Sequence, residues 1–211
     1  MPVTELACLH LKTNTSLTSL LNQELQTKLY TGLKAQANHT NTPVYLLTQI
    51  ADPSCIYIIA HWEGVSQHME EWIPSDTNQR IMEGLKDGVE VVWLQHVEGD
   101  LVGAISSLDG VIGIRRYIVA GGDKEGERDF DQMKRHLKGV NGPTEVSGSL
   151  VVDSRDVDEA ETPQKVFMLL SRSSTINEQF DFGEEELNEF TRFKGLLEEV
   201  EAKHARWTFT A

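Results

Sequence analysis

The feature that most constrains this chain is an order of elements that occurs twice. Residues 4–97 read as strand, helix, strand, strand, helix, strand, and residues 110–210 read in the same order again. A period of about a hundred residues is too long for a solenoid repeat and points to two copies of one βαββαβ unit in a single polypeptide. The boundaries expected are 1–98 for the first unit, 110–211 for a second, diverged one, and 99–109 for the linker.

In the first copy, Thr4–Lys12 reads as a strand. Asn14, Thr15 or Ser16 can cap a following helix whose apolar face carries Leu17, Leu20, Leu21, Leu25, Leu29 and Leu33, with Gly32 weakening its end. Pro43–Ala51 and Cys55–Trp62 are near-continuous apolar strands, joined by an Asp52-Pro53-Ser54 turn. Ser66 opens a helical pattern with Met69, Trp72 and Ile73, Pro74 interrupts it, and Ser75 or Asp76 caps a resumed helix through Leu85. Val89–Val97 is the last strand of this copy. The second copy runs through strand Gly110–Ala120, helix Asp123–Lys138, strands Thr144–Asp153 and Lys165–Arg172, a long helix Glu184–Lys203 with Leu187, Phe190, Phe193, Leu197 and Val200 on its apolar side, and a closing strand His204–Thr210. Each unit then makes a four-stranded antiparallel sheet with two helices on one face. Pairing the bare faces of two sheets gives an α+β fold: tandem ferredoxin-like repeats forming a pseudo-dimeric α/β barrel with room for about one small ligand.

Composition excludes several partners. Lys plus Arg is 19 against 33 Asp plus Glu, a net charge of −14, which argues against a nucleic-acid backbone or an anionic membrane surface. An apolar content of 39% with 25% charged residues is that of a soluble globular protein. With no apolar run long enough to span a bilayer and no basic-then-apolar N-terminal segment, a cytoplasmic location is expected. Cys8 and Cys55 fall in strands and read as small buried hydrophobes rather than a disulfide. The acidic loop Asp153–Glu161 is a solvated segment or a lid over a pocket mouth.

Trp62-Glu63-Gly64-Val65-Ser66-Gln67-His68 resembles the strand-to-helix junction of the antibiotic biosynthesis monooxygenase (ABM) superfamily, the dimeric α/β barrel proteins. The following Glu71–Gln79 segment is similar to the longer form of filamentous fungal members with tandem domains. The resemblance is specific over about Ile56–Val97 and covers the rest through the order of elements. It implies a small-molecule enzyme of fungal-type secondary metabolism. A cofactor-independent monooxygenase acting on an aromatic or polyketide-like substrate is the first choice. A cofactor-free cyclase, isomerase or lyase using the same acid/base groups is the alternative, and a non-catalytic barrel holding a hydrophobic ligand or haem is a second one. The oligomer would be a monomer with an internal pseudo-dimer, or a homodimer of it.

His61, His68 and His96 are the candidate catalytic residues, because imidazole titrates near neutrality and can take a phenolic or enolic proton. Alternation puts His61 on the face of Tyr57 and Ile59 and puts Trp62 on the opposite face with Ile58 and Ala60, so the two do not point into one cavity without a bulge. Tyr45, Trp62, Trp72 and Trp93 could wall a planar ligand, Trp93 having an apparent counterpart in Trp207. Arg116 and Arg172 could hold a carboxylate or enolate oxygen. No HxH, HExxH or CxxC spacing supports a metal, and Gly121-Gly122-Asp123 is no dinucleotide fingerprint, so neither metal nor cofactor is expected. In the second copy Arg172 aligns with Trp62 and Ser171 with His61, with no counterpart of His68.

Overall fold

The structure is a computed structural model, and it describes residues 1–103, 110–119, 128, 145–156, 166–173 and 197–211. Eight strands lie among the described residues: β1 (Val3–Leu11), β2 (Val44–Gln49), β3 (Cys55–Trp62), β4 (Val89–Glu98), β5 (Val111–Val119), β6 (Glu145–Asp156), β7 (Val166–Ser173) and β8 (Leu197–Thr210). Their hydrogen-bonded order is β1-β3-β2-β8-β5-β7-β6-β4, returning to β1, the order of a closed barrel. Two α-helices lie among the described residues, α1 (Gln23–Thr40) and α2 (Asp76–Leu85). The chain falls into two compact units. The first is Met1–Asp100 with Val152–Glu159 and Arg206–Ala211, and the second is Leu101–Val151 with Ala160–Ala205.

In the first unit β1 is central, antiparallel to β3 on one side and to β4 on the other. One face of this sheet buries Val3, Ala7, Leu9 and Leu11 of β1 with Ile56, Ile58, Ala60 and Trp62 of β3, under Leu29 and Leu33 of α1 and Leu85 of α2. Alternation along β1 leaves Glu5 as the one charged residue on that face. Helix α1 starts later than the leucine spacing implies. Ser19 caps a short 3₁₀ turn, Leu20–Asn22, so Leu20 and Leu21 are exposed while Leu17, Leu29 and Leu33 are buried. Gly32 is not near the helix end either: α1 continues to Thr40 and closes on Asn41 in the left-handed region. A Cβ at Gly32 would stand 2.8 Å from Ile81 Cγ2, so the glycine lets α1 and α2 approach closely. The capping of α2 by Ser75, whose hydroxyl accepts from Asn78 N at 3.1 Å, agrees with the sequence reading.

In the second unit β5 is central, between β7 and β8. Its pairing follows that of β1 closely. The β1–β4 register shifts between Cys8 and Leu9, and the β5–β8 register shifts between Arg116 and Tyr117. Superposing the two shifts aligns Val3 with Val111. Val3 lies opposite Trp62, and Val111 opposite Ser173. The place of Trp62 is therefore held by Ser173 and that of His61 by Arg172, one residue on from the alignment that the sequence suggested. Trp207 is not the counterpart of Trp93 either. Trp93 pairs with Cys8, whose counterpart Arg116 pairs with Glu201. Trp207 is half-exposed, and its indole N–H donates to Thr210 Oγ1 at 2.8 Å.

Leu197–Lys203 is the larger correction. These residues belong to β8 and pair with β5 from Val119 to Ile114, where the amphipathic pattern had implied the end of a helix. Pairing with β5 overrides the helix preference of a Leu-Glu-Glu-Val-Glu-Ala-Lys run. The expected helix Asp123–Lys138 and most of the acidic loop Asp153–Glu161 lie outside the described residues, apart from Arg128 and the strand residues up to Asp156.

Candidate active site

Three strands and a helical turn bring one cluster of side chains together in the first unit. Glu5 lies opposite Ala60 on β3 and opposite His96 on β4, so its side chain shares a face with His96 and with Trp62. After Trp62 the chain turns into a π-helical segment, Gln67–Trp72, in which Ile73 N bonds back to His68 O at 2.8 Å. Such wide turns recur at functional sites because they re-aim a side chain within a helix. Here the turn buries both His68 and Trp72 against the sheet.

Glu5 is 4% exposed. Its Oε2 accepts the indole N–H of Trp62 at 2.7 Å and the amide N–H of Gln36 at 2.7 Å. His68 Nε2 stands 3.7 Å from the same oxygen. The other nitrogen of His68, Nδ1, shares a 2.7 Å hydrogen bond with His96 Nε2. The His68 ring stacks on Trp62 with centroids 4.3 Å apart and an angle of 17°, and it meets His96 edge-on. The carboxylate and the first imidazole are in ion-pair range, the two imidazoles share a hydrogen bond, and an indole clamps both the carboxylate and the first ring.

Burial pushes the Glu5 carboxyl up to about 7, although the Trp62 hydrogen bond, the nearby His96 and the Gln36 hydrogen bond all pull it down. A carboxyl poised there is half protonated at neutral pH, so it can take a proton or return one. Oε2 carries all of the hydrogen bonds to this carboxylate among the described residues, and Oε1 carries none.

Glu5 and His68 line a cavity of about 510 Å³ between the sheet and the two helices. Its walls are largely apolar: Ala7 and Leu9 of β1, Ile58 of β3, Leu29 and Leu33 of α1, and Trp72. Glu83 of α2 and Lys86, which follows the helix, add a charged stretch to the lining. A mostly apolar cavity with a few converging polar groups and a displaced pKa is the usual form of a small-molecule site.

Of the residues singled out in the sequence, His68, His96, Trp62 and Trp72 meet here. His96 stands behind His68 rather than in the wall. His61 points to the other face of β3, half-buried, with its Nδ1 unpartnered among the described residues. Trp93 also lies on that face, its ring 6.1 Å from Tyr57, whose hydroxyl donates to Gln49 Oε1 at 2.9 Å. Tyr45 does not line this cavity; partial burial, and then Asp100, raise its phenol pKa. Arg116 and Arg172 belong to the second unit, on one face of the β5–β7 pair, with Arg172 Nη1 4.0 Å from Glu145 Oε2. Sequence reasoning missed Glu5, Gln36 and His39; the His39 ring lies 5.1 Å from that of Trp72.

No family model matches this chain, and no curated protein matches it. Solved structures do. A proposed monooxygenase from Lactobacillus acidophilus NCFM aligns with a TM-score of 0.59 at 10% identity, over 100% of this chain and 95% of the other. A proposed monooxygenase from Fusobacterium nucleatum gives 0.61 at 12%, over 99% and 93%, and an anthrone oxidase-like protein gives 0.61 at 8%, over 99% and 92%. Identities this low speak to the fold, and the chain shares the fold of these proteins, the dimeric α/β barrel type that the Trp62–His68 junction implied.

Proposed function

We propose that this chain is a small-molecule enzyme whose reaction begins with proton removal by the Glu5–His68–His96 chain. The observation that carries the reading is the buried Glu5 carboxyl, poised near neutrality at the wall of an apolar cavity and wired to two imidazoles. The preferred reaction is monooxygenation of an electron-rich phenolic or polyketide-like aromatic without a bound redox cofactor, in secondary metabolism of the fungal type. The names of three solved structures that share this fold, two proposed monooxygenases and an anthrone oxidase-like protein, are in keeping with it. The repeated register about β1 and β5 supports two copies of one ferredoxin-like unit, of which the first retains the chemistry.

For an anthrone-type substrate the steps balance. The cluster takes a proton from the reactive carbon, and the resulting anion passes an electron to dioxygen. Recombination forms a C–O bond as a peroxide anion, which takes the first proton back from the cluster to become a hydroperoxide. Loss of the second proton from that carbon breaks the O–O bond, leaving a ketone, and the departing hydroxide takes back a proton to leave as water. Glu5 supplies the acceptor oxygen in the wall, His68 and His96 hold the shared proton, and Trp62 fixes both partners in place. The apolar walls keep water from the anion.

A cofactor-free cyclase, isomerase or lyase would use the same proton removal and stop before oxygen enters. A haem-holding barrel is less well supported. Of the histidines, His68 alone lines this cavity, and its two ring nitrogens face His96 and Glu5, so neither is placed to serve as an axial ligand. The test is the absorbance spectrum of the purified protein, followed by incubation with an anthrone-type phenol under air and under nitrogen. Product under air alone supports the oxygenase. Equal product under both gases replaces it with a cyclase or lyase, and a Soret band replaces both with a haem protein.

A further inference from the structure

A second group of titratable side chains stands away from the cavity, at the opposite end of β1 from Glu5 and on the other face of the sheet. His10 of β1 lies directly opposite Cys55 of β3, so their side chains project from the same face as cross-strand neighbours. Asp52 is brought to them by the turn before β3. Its Oδ1 accepts from Ser54 N at 3.0 Å and from the Ser54 hydroxyl at 2.6 Å, while Cys55 N bonds to Asp52 O at 2.9 Å. The other carboxylate oxygen, Oδ2, accepts from the Cys55 thiol at 3.3 Å. One ligand atom from each of His10, Asp52 and Cys55 lies within 4.8 Å of the other two.

We propose that His10, Asp52 and Cys55 bind one thiophilic divalent cation of the zinc type, with a fourth position left to water. Bonds of about 2.0–2.3 Å at tetrahedral angles put neighbouring ligand atoms about 3.3–3.8 Å apart. The Asp52–Cys55 pair is already there, and turning the partly exposed His10 ring away from the Ser54 hydroxyl, which its Nε2 meets at 3.1 Å, closes the remainder. An imidazole, a carboxylate and a thiolate together favour zinc over magnesium or calcium, which prefer oxygen alone. The surroundings suit the role: Ser54 anchors Oδ1 and leaves Oδ2 for the metal. Binding requires the Cys55 thiolate, so its proton passes to solvent and one carboxylate and one thiolate balance the two positive charges.

The experiment is metal binding to the full chain after chelator treatment, read by zinc retained through gel filtration and by the spectrum with cobalt(II). The result expected is one zinc per chain and a thiolate-to-cobalt charge-transfer band. Cys55→Ser abolishes the band, and Asp52→Asn weakens zinc binding at least about tenfold. Cys8→Ala leaves the band intact, since Cys8 is two residues from His10 but outside the group. If Cys55→Ser does not fold, zinc protection of Cys55 in the unaltered chain against alkylation gives the same answer. No retained zinc and no band would overturn the site, as would a band that survives Cys55→Ser. These readouts do not depend on turnover at Glu5.

Discussion

The two units share a strand register and differ in what that register carries. About β1, the position opposite His96 holds Glu5; about β5, the matching position opposite His204 holds Gly113. Trp62, which donates to Glu5 and stacks on His68, is replaced by Ser173. Of the carboxylate, the indole and the strand histidine, the second unit keeps only the histidine. His204 is half-buried, and burial followed by the charge of Arg115 lowers its pKa, the opposite of what a neighbouring carboxylate would do. The pairing geometry alone therefore does not assemble the cluster; the side chains placed on it in one unit do.

Removing the carboxylate should have the largest effect. Glu5→Gln keeps the shape and the two donors but lowers turnover of an anthrone-type phenol by about 10²–10⁴-fold, measured as oxygen uptake. His68→Ala falls in the same range, whereas His204→Ala in the second unit changes the rate by less than about twofold. A loss at His204 equal to that at His68 would break the comparison.

Stability against pH comes next. The Glu5 pKa is raised in the folded chain, so the folded state holds a proton that the unfolded state releases between about 4.5 and 7. The contribution of this group is full below its unfolded value and is lost as pH rises through the folded one, a decline of about 3 kcal/mol. Subtracting the urea-unfolding profile of Glu5→Gln from that of the unaltered chain should isolate that slope, with His68 and His96 as the neighbours that temper it.

Trp62→Phe keeps a ring against His68 but removes the donor to a buried carboxylate. It should destabilise the fold by about 1–3 kcal/mol and push the Glu5 pKa up further, seen by urea titration at two pH values. Gly32→Ala should cost less. The contact with Ile81 adds an overpacking penalty of about 1–3 kcal/mol, and the better helix propensity of alanine returns roughly 1 of that, leaving a net loss of up to about 2 kcal/mol.

Much of the first unit was legible because its signals are local. Continuous apolar runs gave β2 and β3, and Pro74 followed by Ser75 gave the break before α2. The parity argument correctly separated His61 from Trp62. Glu5 was harder to find: a lone acid in Thr4–Lys12 looks like a solvent-facing strand residue. The available signal was its phase, since Val3, Ala7, Leu9 and Leu11 on the same face are all apolar. What it meets depends on two antiparallel registers, which place Ala60 and His96, far along the chain, opposite it. The start of β8 was misread for a related reason: its Glu-rich run has helix propensity, and the pairing with β5 that overrides it is long-range.

The central claim is that Glu5 holds an exchangeable proton near neutral pH. The direct measurement is the carboxyl carbon resonance of the protein labelled with ¹³C at glutamate carboxyls, titrated beside Glu5→Gln to assign it. A resonance that is absent from the variant and titrates with a midpoint near 7 is the result this account predicts. A midpoint in the ordinary glutamate range near 4.5 would contradict it, and would leave the His68–His96 pair without its carboxyl partner.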